Sequence, residues 1–452
     1  MKKILCAIMA AALVLCVSGC RFFGSDYSAL LTAPKVSGEL QGIQKALEQS
    51  VSGEYTLQYP SEGEYRSAMV QYDLNEDGQR EAFAFYSTDN DDGTQTMHLS
   101  FIYYADEKWS VKSDLQLVAA GINFIDFYDL NGNGIYEVVA GWKDYNSTSG
   151  ILTVYCFEKD SLIQRIRDNY LTYLVYDADA DQKQELFVVS GHRPLLSNNT
   201  EQNKDKPVIV ANLYKLENDE IYQIGRCGLS SAPERYAQPK YANITKDTKA
   251  VVLDGYTSVG MITEAIVWEK SALTNLFYDA VTGQNQITYR IASIPSADYN
   301  GDGIVEIPQM QQLPTPSGEQ GESVYLTKWM QLTGNGFQSV CASIVNTVDG
   351  YSVDVPQAWD TKFTIVRKMD SKQRIVYMWD AKNSLLSDEI FRIQLFALKD
   401  WQKENNTKGW TELTRDTEYV YAGMVNESAE LSMSLKELKE GLRLISEWNG
   451  EE

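Results

Sequence analysis

Histidine is nearly absent. His98 and His192 are the only two in 452 residues, so imidazole-based acid–base chemistry has few places to reside. Cysteine is sparse too: after Cys20 only Cys156, Cys227 and Cys341 remain, an odd number, widely spaced and mostly in apolar contexts. That spacing argues against a disulfide framework and reads as buried small apolar side chains. Positive charge is in deficit, with 40 Lys and Arg against 62 Asp and Glu and a net charge of −22. So acidic a chain does not track phosphate backbones, and no nucleic acid is expected as a partner. The signatures G-x-S-x-G, H-E-x-x-H and C-x-x-C and the phosphate loop are missing as well. The N-terminal apolar run, Ile4 to Val17, is too short to span a bilayer comfortably.

Lys2 and Lys3 precede that run and Val17-Ser18-Gly19-Cys20 follows it, the basic, apolar, small-residue order of an export signal. The last four residues resemble the lipobox of bacterial lipoproteins. The resemblance implies removal of residues 1–19, diacylation of Cys20 and attachment to the extracytoplasmic face of the cell membrane; an ordinary signal peptide cut near Gly19 is the other reading. Losing Lys2 and Lys3 takes the net charge from −22 to −24. Residues 20–54 then read as a tether and a short helix, with Leu40, Ile43, Leu47 and Val51 at helical spacing.

What the chain has in abundance is one acidic loop in four copies: DLNEDGQRE from Asp73, DLNGNGIYE from Asp129, DADADQKQE from Asp177 and DYNGDGIVE from Asp298. Side-chain oxygens at positions one, three and five of such a loop converge on one point. A glycine at six permits positive φ, and the carbonyl at seven and the glutamate at nine can close the shell. The expected metal ligands are therefore Asp73, Asn75, Asp77, the Gln79 carbonyl and Glu81; Asp129, Asn131, Asn133, the Ile135 carbonyl and Glu137; Asp177, Asp179, Asp181, the Lys183 carbonyl and Glu185; and Asp298, Asn300, Asp302, the Ile304 carbonyl and Glu306. Oxygen donors alone favour a hard cation, and calcium, up to four ions, suits so flexible a shell. An EF-hand is excluded, because position twelve is Ala84, Ala140, Val188 and Gln309 and the glutamate runs into a strand-like segment. Asx turns without metal are the bland alternative. By carboxylate count the second loop is expected to bind weakest.

The loops belong to a repeat of 50 to 60 residues, in which a strand, the loop, a second strand and a hairpin follow in order. A hairpin aromatic recurs as Tyr104, Phe157, Tyr214, Trp268 and Trp329. A fifth copy, Asn243 to Asp247, has Thr248 in the glycine place and Val251 in the glutamate place, and has lost its metal. Sheets repeated at this period match propeller blades. The loop family resembles the FG-GAP and VCBS repeats, which implies calcium between the first two strands of a blade. The chain as a whole resembles VCBS-repeat lipoproteins of Gram-positive anaerobes. The expected fold is mainly β: a β-propeller of about five four-stranded blades over residues 55–345, followed by a small α+β domain over 346–452. Ser434 and Glu437 there form a capping-box pattern, and Trp359, Trp379, Trp401 and Trp410 read as core residues.

The leading functional reading is a binding or adhesion module for an envelope or extracellular glycan or protein. Its candidate ligand-binding residues, on loops opposite the metal loops, are Tyr145, His192, Arg193 and Tyr256, with a Pro-Gly loop from Pro308 to Glu322 beside them. A polysaccharide lyase or glycosidase on the same propeller, with His192 as the base, and a structural subunit of an envelope assembly are the alternatives. His98 lies in an alternating strand and reads as a packed or surface strand residue rather than a general base.

Overall fold

The computed structural model describes residues 38–191, 208–315, 323–368, 371–401 and 409–448. Cys20 and the lipobox, the tether, His192 and Arg193 lie outside the described residues. Strands make up 54% and helices 8%, so the fold is mainly β. No helix among the described residues is long and apolar enough to cross a membrane. The chain divides into two compact units: Met1–Gln58, Ser67–Asp73 and Asp77–Val118; and Tyr59–Arg66, Leu74–Glu76 and Ala119–Glu452.

In the first unit the expected amphipathic helix spans Gly38–Ser50 and buries Ile43, Ala46 and Leu47. These side chains cluster with Ala82, Ala84, Tyr86 and Ile102 from one face of a five-stranded antiparallel sheet. Gly42 lets the helix approach, since a Cβ there would stand 2.6 Å from Trp109 Cδ1. Glu81–Asp89 pairs on one side with Thr56–Leu57 and Met69–Tyr72 and on the other with Gln95–Ala105, which continues to Lys108–Val118. His98 is buried rather than on the surface. Its Nδ1 lies 2.8 Å from Asp114 Oδ2, its Nε2 lies 3.1 Å from Thr88 Oγ1, and the Tyr86 ring stacks on it.

The second unit contains five more antiparallel sheets. Two are four-stranded meanders: Gly121–Tyr128, Glu137–Lys143, Gly150–Glu158 and Ser161–Tyr170; then Thr172–Tyr176, Glu185–Ser190, Ile209–Glu217 and Glu220–Leu229. The next is built on Lys249–Tyr256, Met261–Glu269 and Ala272–Asn275, with Arg235–Tyr236 and Lys240–Asn243 both pairing along its first long strand. Buried Arg290 pins the long connection that follows, donating to Asp254 Oδ1 (3.0 Å), Thr263 Oγ1 (2.9 Å) and the Ile294 carbonyl (2.6 Å).

The hairpins repeat closely. In four of them the two turn residues, Asp106–Glu107, Lys159–Asp160, Asn218–Asp219 and Lys270–Ser271, all have positive φ, as a type I′ turn requires to match strand twist. A bulge falls at one place in four hairpins, between Phe101 and Ile102, Val154 and Tyr155, Leu213 and Tyr214, and Trp329 and Met330. The recurring aromatic is less regular than expected. Tyr104, Phe157 and Trp268 occupy the next-to-last residue of the strand, whereas Tyr214 and Trp329 lie deeper, and Leu216 and Leu332 take the equivalent place.

Two features depart from expectation past residue 305. The loop expected from Pro308 to Glu322 is shorter, because Ile307–Gln312 is a strand paired with Tyr325–Thr333. It is an edge strand, so a proline without an N–H costs no ladder bond. Strand pairing also runs across the expected boundary at residue 346. The sheet Ile307–Gln312, Tyr325–Thr333 and Gly336–Asn346 continues into Tyr351–Asp354 and then Leu442–Leu444. A sixth sheet, in the order Phe363–Lys368, Gln373–Asp380, Leu385–Ala397, Tyr419–Val425 and Thr411–Arg415, shares one core with it: Leu326 and Ala342 cluster with Trp359, Phe363, Phe391 and Leu438. The capping box forms, with the Glu437 N–H donating to Ser434 Oγ and the Ser434 N–H to Glu437 Oε2, at the start of helix Leu435–Gly441. Trp359 is buried, and Trp379, Trp401 and Trp410 are partly buried.

Candidate metal-binding loops

The four acidic loops share one backbone. In each, the position-one carboxylate accepts the N–H of residue six: Gly78 to Asp73 Oδ2 (2.9 Å), Gly134 to Asp129 Oδ2 (2.9 Å), Gln182 to Asp177 Oδ2 (2.9 Å) and Gly303 to Asp298 Oδ2 (2.8 Å). In each, position five accepts the N–H of residue seven: Gln79 to Asp77, Ile135 to Asn133, Lys183 to Asp181 and Ile304 to Asp302. Positions four and six have positive φ throughout: Glu76 and Gly78, Gly132 and Gly134, Ala180 and Gln182, Gly301 and Gly303. Gln182 adopts the glycine conformation at φ 71°, so its departure from the motif leaves the turn unchanged. Asn75 belongs to the second unit and Asp73, Asp77 and Glu81 to the first. Backbone links join successive loops within the second unit, from the Tyr136 N–H to Leu74 O, Gln184 N–H to Leu130 O and Val305 N–H to Asn243 O.

The ninth-position glutamates are buried, with Glu81, Glu137, Glu185 and Glu306 at most 2% exposed. Three of them staple their loop shut by accepting the N–H of position two: Leu130 to Glu137 Oε2 (3.0 Å), Ala178 to Glu185 Oε2 (2.8 Å) and Tyr299 to Glu306 Oε2 (2.7 Å). Burial raises the pKa values, to about 8 for Glu137 and about 7 for Glu306, and raises that of Glu185 as well. A carboxylate so placed is costly unless something positive or hydrogen-bonding faces its second oxygen.

What faces it differs from sheet to sheet. Extending the strand register by one residue puts Tyr103 across from Glu81, Cys156 across from Glu137, Lys215 across from Glu185 and Gln331 across from Glu306. The Lys215 ammonium donates to Asp179 Oδ2 (2.7 Å) and Asp181 Oδ2 (2.8 Å) and lies 3.1 Å from Glu185 Oε1, close enough for an ion pair but without hydrogen-bond alignment. Burial alone would lower its pKa; the three carboxylates outweigh that and raise it. Gln331 Nε2 donates to Asp302 Oδ2 (2.7 Å) and Glu306 Oε1 (2.6 Å). An amide can present either its nitrogen or its oxygen to this point. Neither Lys215 nor Gln331 was expected from the loop motif. The available signal was a lone lysine in the apolar segment NLYKLE, on a strand that follows an acidic loop.

Among the described residues, two acidic clusters are compact enough to hold a metal ion, Asp177–Asp179–Asp181 and Asp298–Asp302–Glu306. The second fits a hard cation by its donor set; at the first loop, Asp73 Oδ1 is buried with no hydrogen-bond partner. In the remaining, degenerate copy the Ile244 N–H turns back to Thr248 O, and Ala242 pairs with Ala250. Ala250, not Val251, therefore holds the glutamate place, because this loop is one residue shorter than the others. In the intact loops the residue before position one pairs with the glutamate, as in Tyr72 with Glu81 and Tyr128 with Glu137.

Of the expected ligand-binding residues, Tyr145 is partly buried on the connection between Glu137–Lys143 and Gly150–Glu158. Tyr256 ends its strand with the Arg235 guanidinium 3.6 Å from its ring centroid, so one face of the ring is already covered.

No family model matches the sequence, and no curated protein matches it either. Among solved structures, similarity is found to an exotype rhamnogalacturonan lyase at 11% identity, covering 75% of this chain and 83% of that one, with a TM-score of 0.30. A Bacillus licheniformis rhamnogalacturonan lyase gives 12% identity, coverages of 64% and 68% and a TM-score of 0.30. A periplasmic gluconolactonase of Pseudomonas aeruginosa gives 10%, 70% and 82%, and 0.27. Scores this low fix neither fold nor activity.

Proposed function

We propose that the chain is a lipid-anchored, extracytoplasmic β-propeller of about five blades, stiffened by calcium, that serves as a binding or adhesion module for an envelope or extracellular glycan or protein. The observation that carries this reading is the recurrence of one loop backbone, each time with a buried glutamate at its ninth position. A buried carboxylate repeated at the same place in four of the sheets is a standing demand for positive charge. Asp129, Asn131, Asn133 and Glu137, and Asp298, Asn300, Asp302 and Glu306, would hold the ion, and the unmet Asp73 Oδ1 points to the same need at the first loop. Calcium would supply charge neutralisation there. The chain's own residues set the turn, and a backbone link ties the loop at Asp177 to the loop at Asp129. The resemblance to FG-GAP and VCBS repeats and to a lipobox supports the calcium and the anchor.

The test is calcium titration calorimetry and thermal unfolding on the full chain in detergent, with and without chelator. Each loop filled at a hundredfold excess over its Kd should add about 2.7 kcal/mol of stability. Retention of an envelope glycan should then depend on calcium. No binding and no rise in Tm would reduce the loops to Asx turns.

A further inference from the structure

The loop at Asp177 carries the most carboxylates and would be ranked the tightest calcium site by counting them. Its geometry says otherwise. Three of the oxygens that would close on an ion, from Asp179, Asp181 and Glu185, already surround one ammonium at 2.7, 2.8 and 3.1 Å. The Lys215 side chain is only 9% exposed and rises from the interior of strand Ile209–Glu217, so it is not a surface lysine that has swung in. Position three is aspartate only here, as Asp179; the other intact loops have Asn75, Asn131 and Asn300. Asn131 and Asn300 accept the N–H of position five in their own loops, whereas Asp179 accepts from Lys215. The extra carboxylate and the extra ammonium occur together, in one loop out of four.

Resting on the calcium reading of the other loops, we propose that Lys215 is the resident cation of the third loop: a covalently tethered ammonium that balances Asp179, Asp181 and Glu185, so that this loop takes no calcium. A divalent ion added to the cage would lie beside the ammonium, and the repulsion between the two cations would oppose its binding. The lysine could relieve that only by swinging its head out of the cage, giving up its contacts with all three carboxylates. The residue facing the ninth glutamate from the neighbouring strand thus decides whether a loop is metal-dependent.

The test counts calcium ions bound by the full chain with calorimetry and terbium luminescence. Lys215→Met should bind one more ion than the wild type. Asp179→Asn combined with Asp181→Asn, with Lys215 retained, should bind the same number as the wild type and needs no lysine variant to fold. The inference is overturned if Lys215→Met gains no ion, or if the Asp179→Asn, Asp181→Asn variant loses one. Asp298→Asn separates this from the calcium reading itself, because that variant should lose one ion whatever the third loop does. A wild type that binds none, beside a Lys215→Met chain that binds one, would end the broader reading and leave this inference standing.

Discussion

The loops that begin at Asp177 and at Asp298 are built on one backbone and balanced in two ways. Both hold positions four and six at positive φ, and both bury a ninth-position glutamate that staples the turn. Across from that glutamate the third sheet places an ammonium and the fifth an amide. The acidic motif therefore specifies the turn, and the next strand specifies the charge that the turn needs. Carboxylate count, which ranks Asp177 first, is a poor guide to metal demand when a neighbouring lysine has already met it.

Removing the facing residue from each loop breaks the comparison most sharply. Lys215→Ala in chelator strands three carboxylates, one fully buried, and should destabilise the fold by about 3 kcal/mol, the low end for breaking a buried ion pair because Asp179 and Asp181 are about a third exposed. Gln331→Ala removes two amide hydrogen bonds to carboxylates and should cost about 1.5 kcal/mol in chelator. Millimolar calcium should restore both variants. Equal losses in chelator, measured by urea unfolding, would mean that the ammonium contributes no more than the amide.

The next effect separates the loops by pH. Glu137 and Glu306 have folded-state pKa values raised by burial, to about 8 and about 7. A raised carboxyl contributes stability that is complete below its unfolded value, near 4.3, and is lost as pH rises through the folded value. In chelator, Tm should therefore fall by about 3 °C or more between pH 5 and 8.5, and Glu306→Gln should remove part of the fall. Calcium, which favours the ionised form, should flatten the profile. A Tm in chelator that does not change over this range would show that these carboxylates are already satisfied.

The elements that were legible in the sequence are those whose signal is local. Helix Gly38–Ser50 follows from the spacing of Leu40, Ile43 and Leu47, and the capping box from Ser434 and Glu437. The loops follow from Asp, Asn and Gly at fixed offsets, and the strands after them from EAFAFY, EVVAGW and ELFVVS. What was hidden depends on register between strands that are far apart in sequence. Lys215 meets Glu185 only because Leu186 pairs with Tyr214 across an intervening connection of unremarkable composition. Pro308 reads as a loop residue until its strand is known to be an edge. The pairing of Tyr351–Asp354 with Leu442–Leu444 joins segments some ninety residues apart, and no nearby pattern announces it.

The smallest expected effect tests whether the shared backbone is shared at equal cost. Position six is Gln182 in the third loop and glycine in the other three, all at φ between 71° and 85°. A side chain at positive φ crowds the following carbonyl and costs on the order of 1 kcal/mol relative to glycine, partly offset by the freedom glycine has when unfolded. Gln182→Gly should therefore stabilise the chain by about 0.5 kcal/mol, in calcium and in chelator alike, because Lys215 holds the third loop together in both. A gain that appears only in calcium would place a metal ion in that loop after all, and would contradict the assignment of Lys215 as its cation.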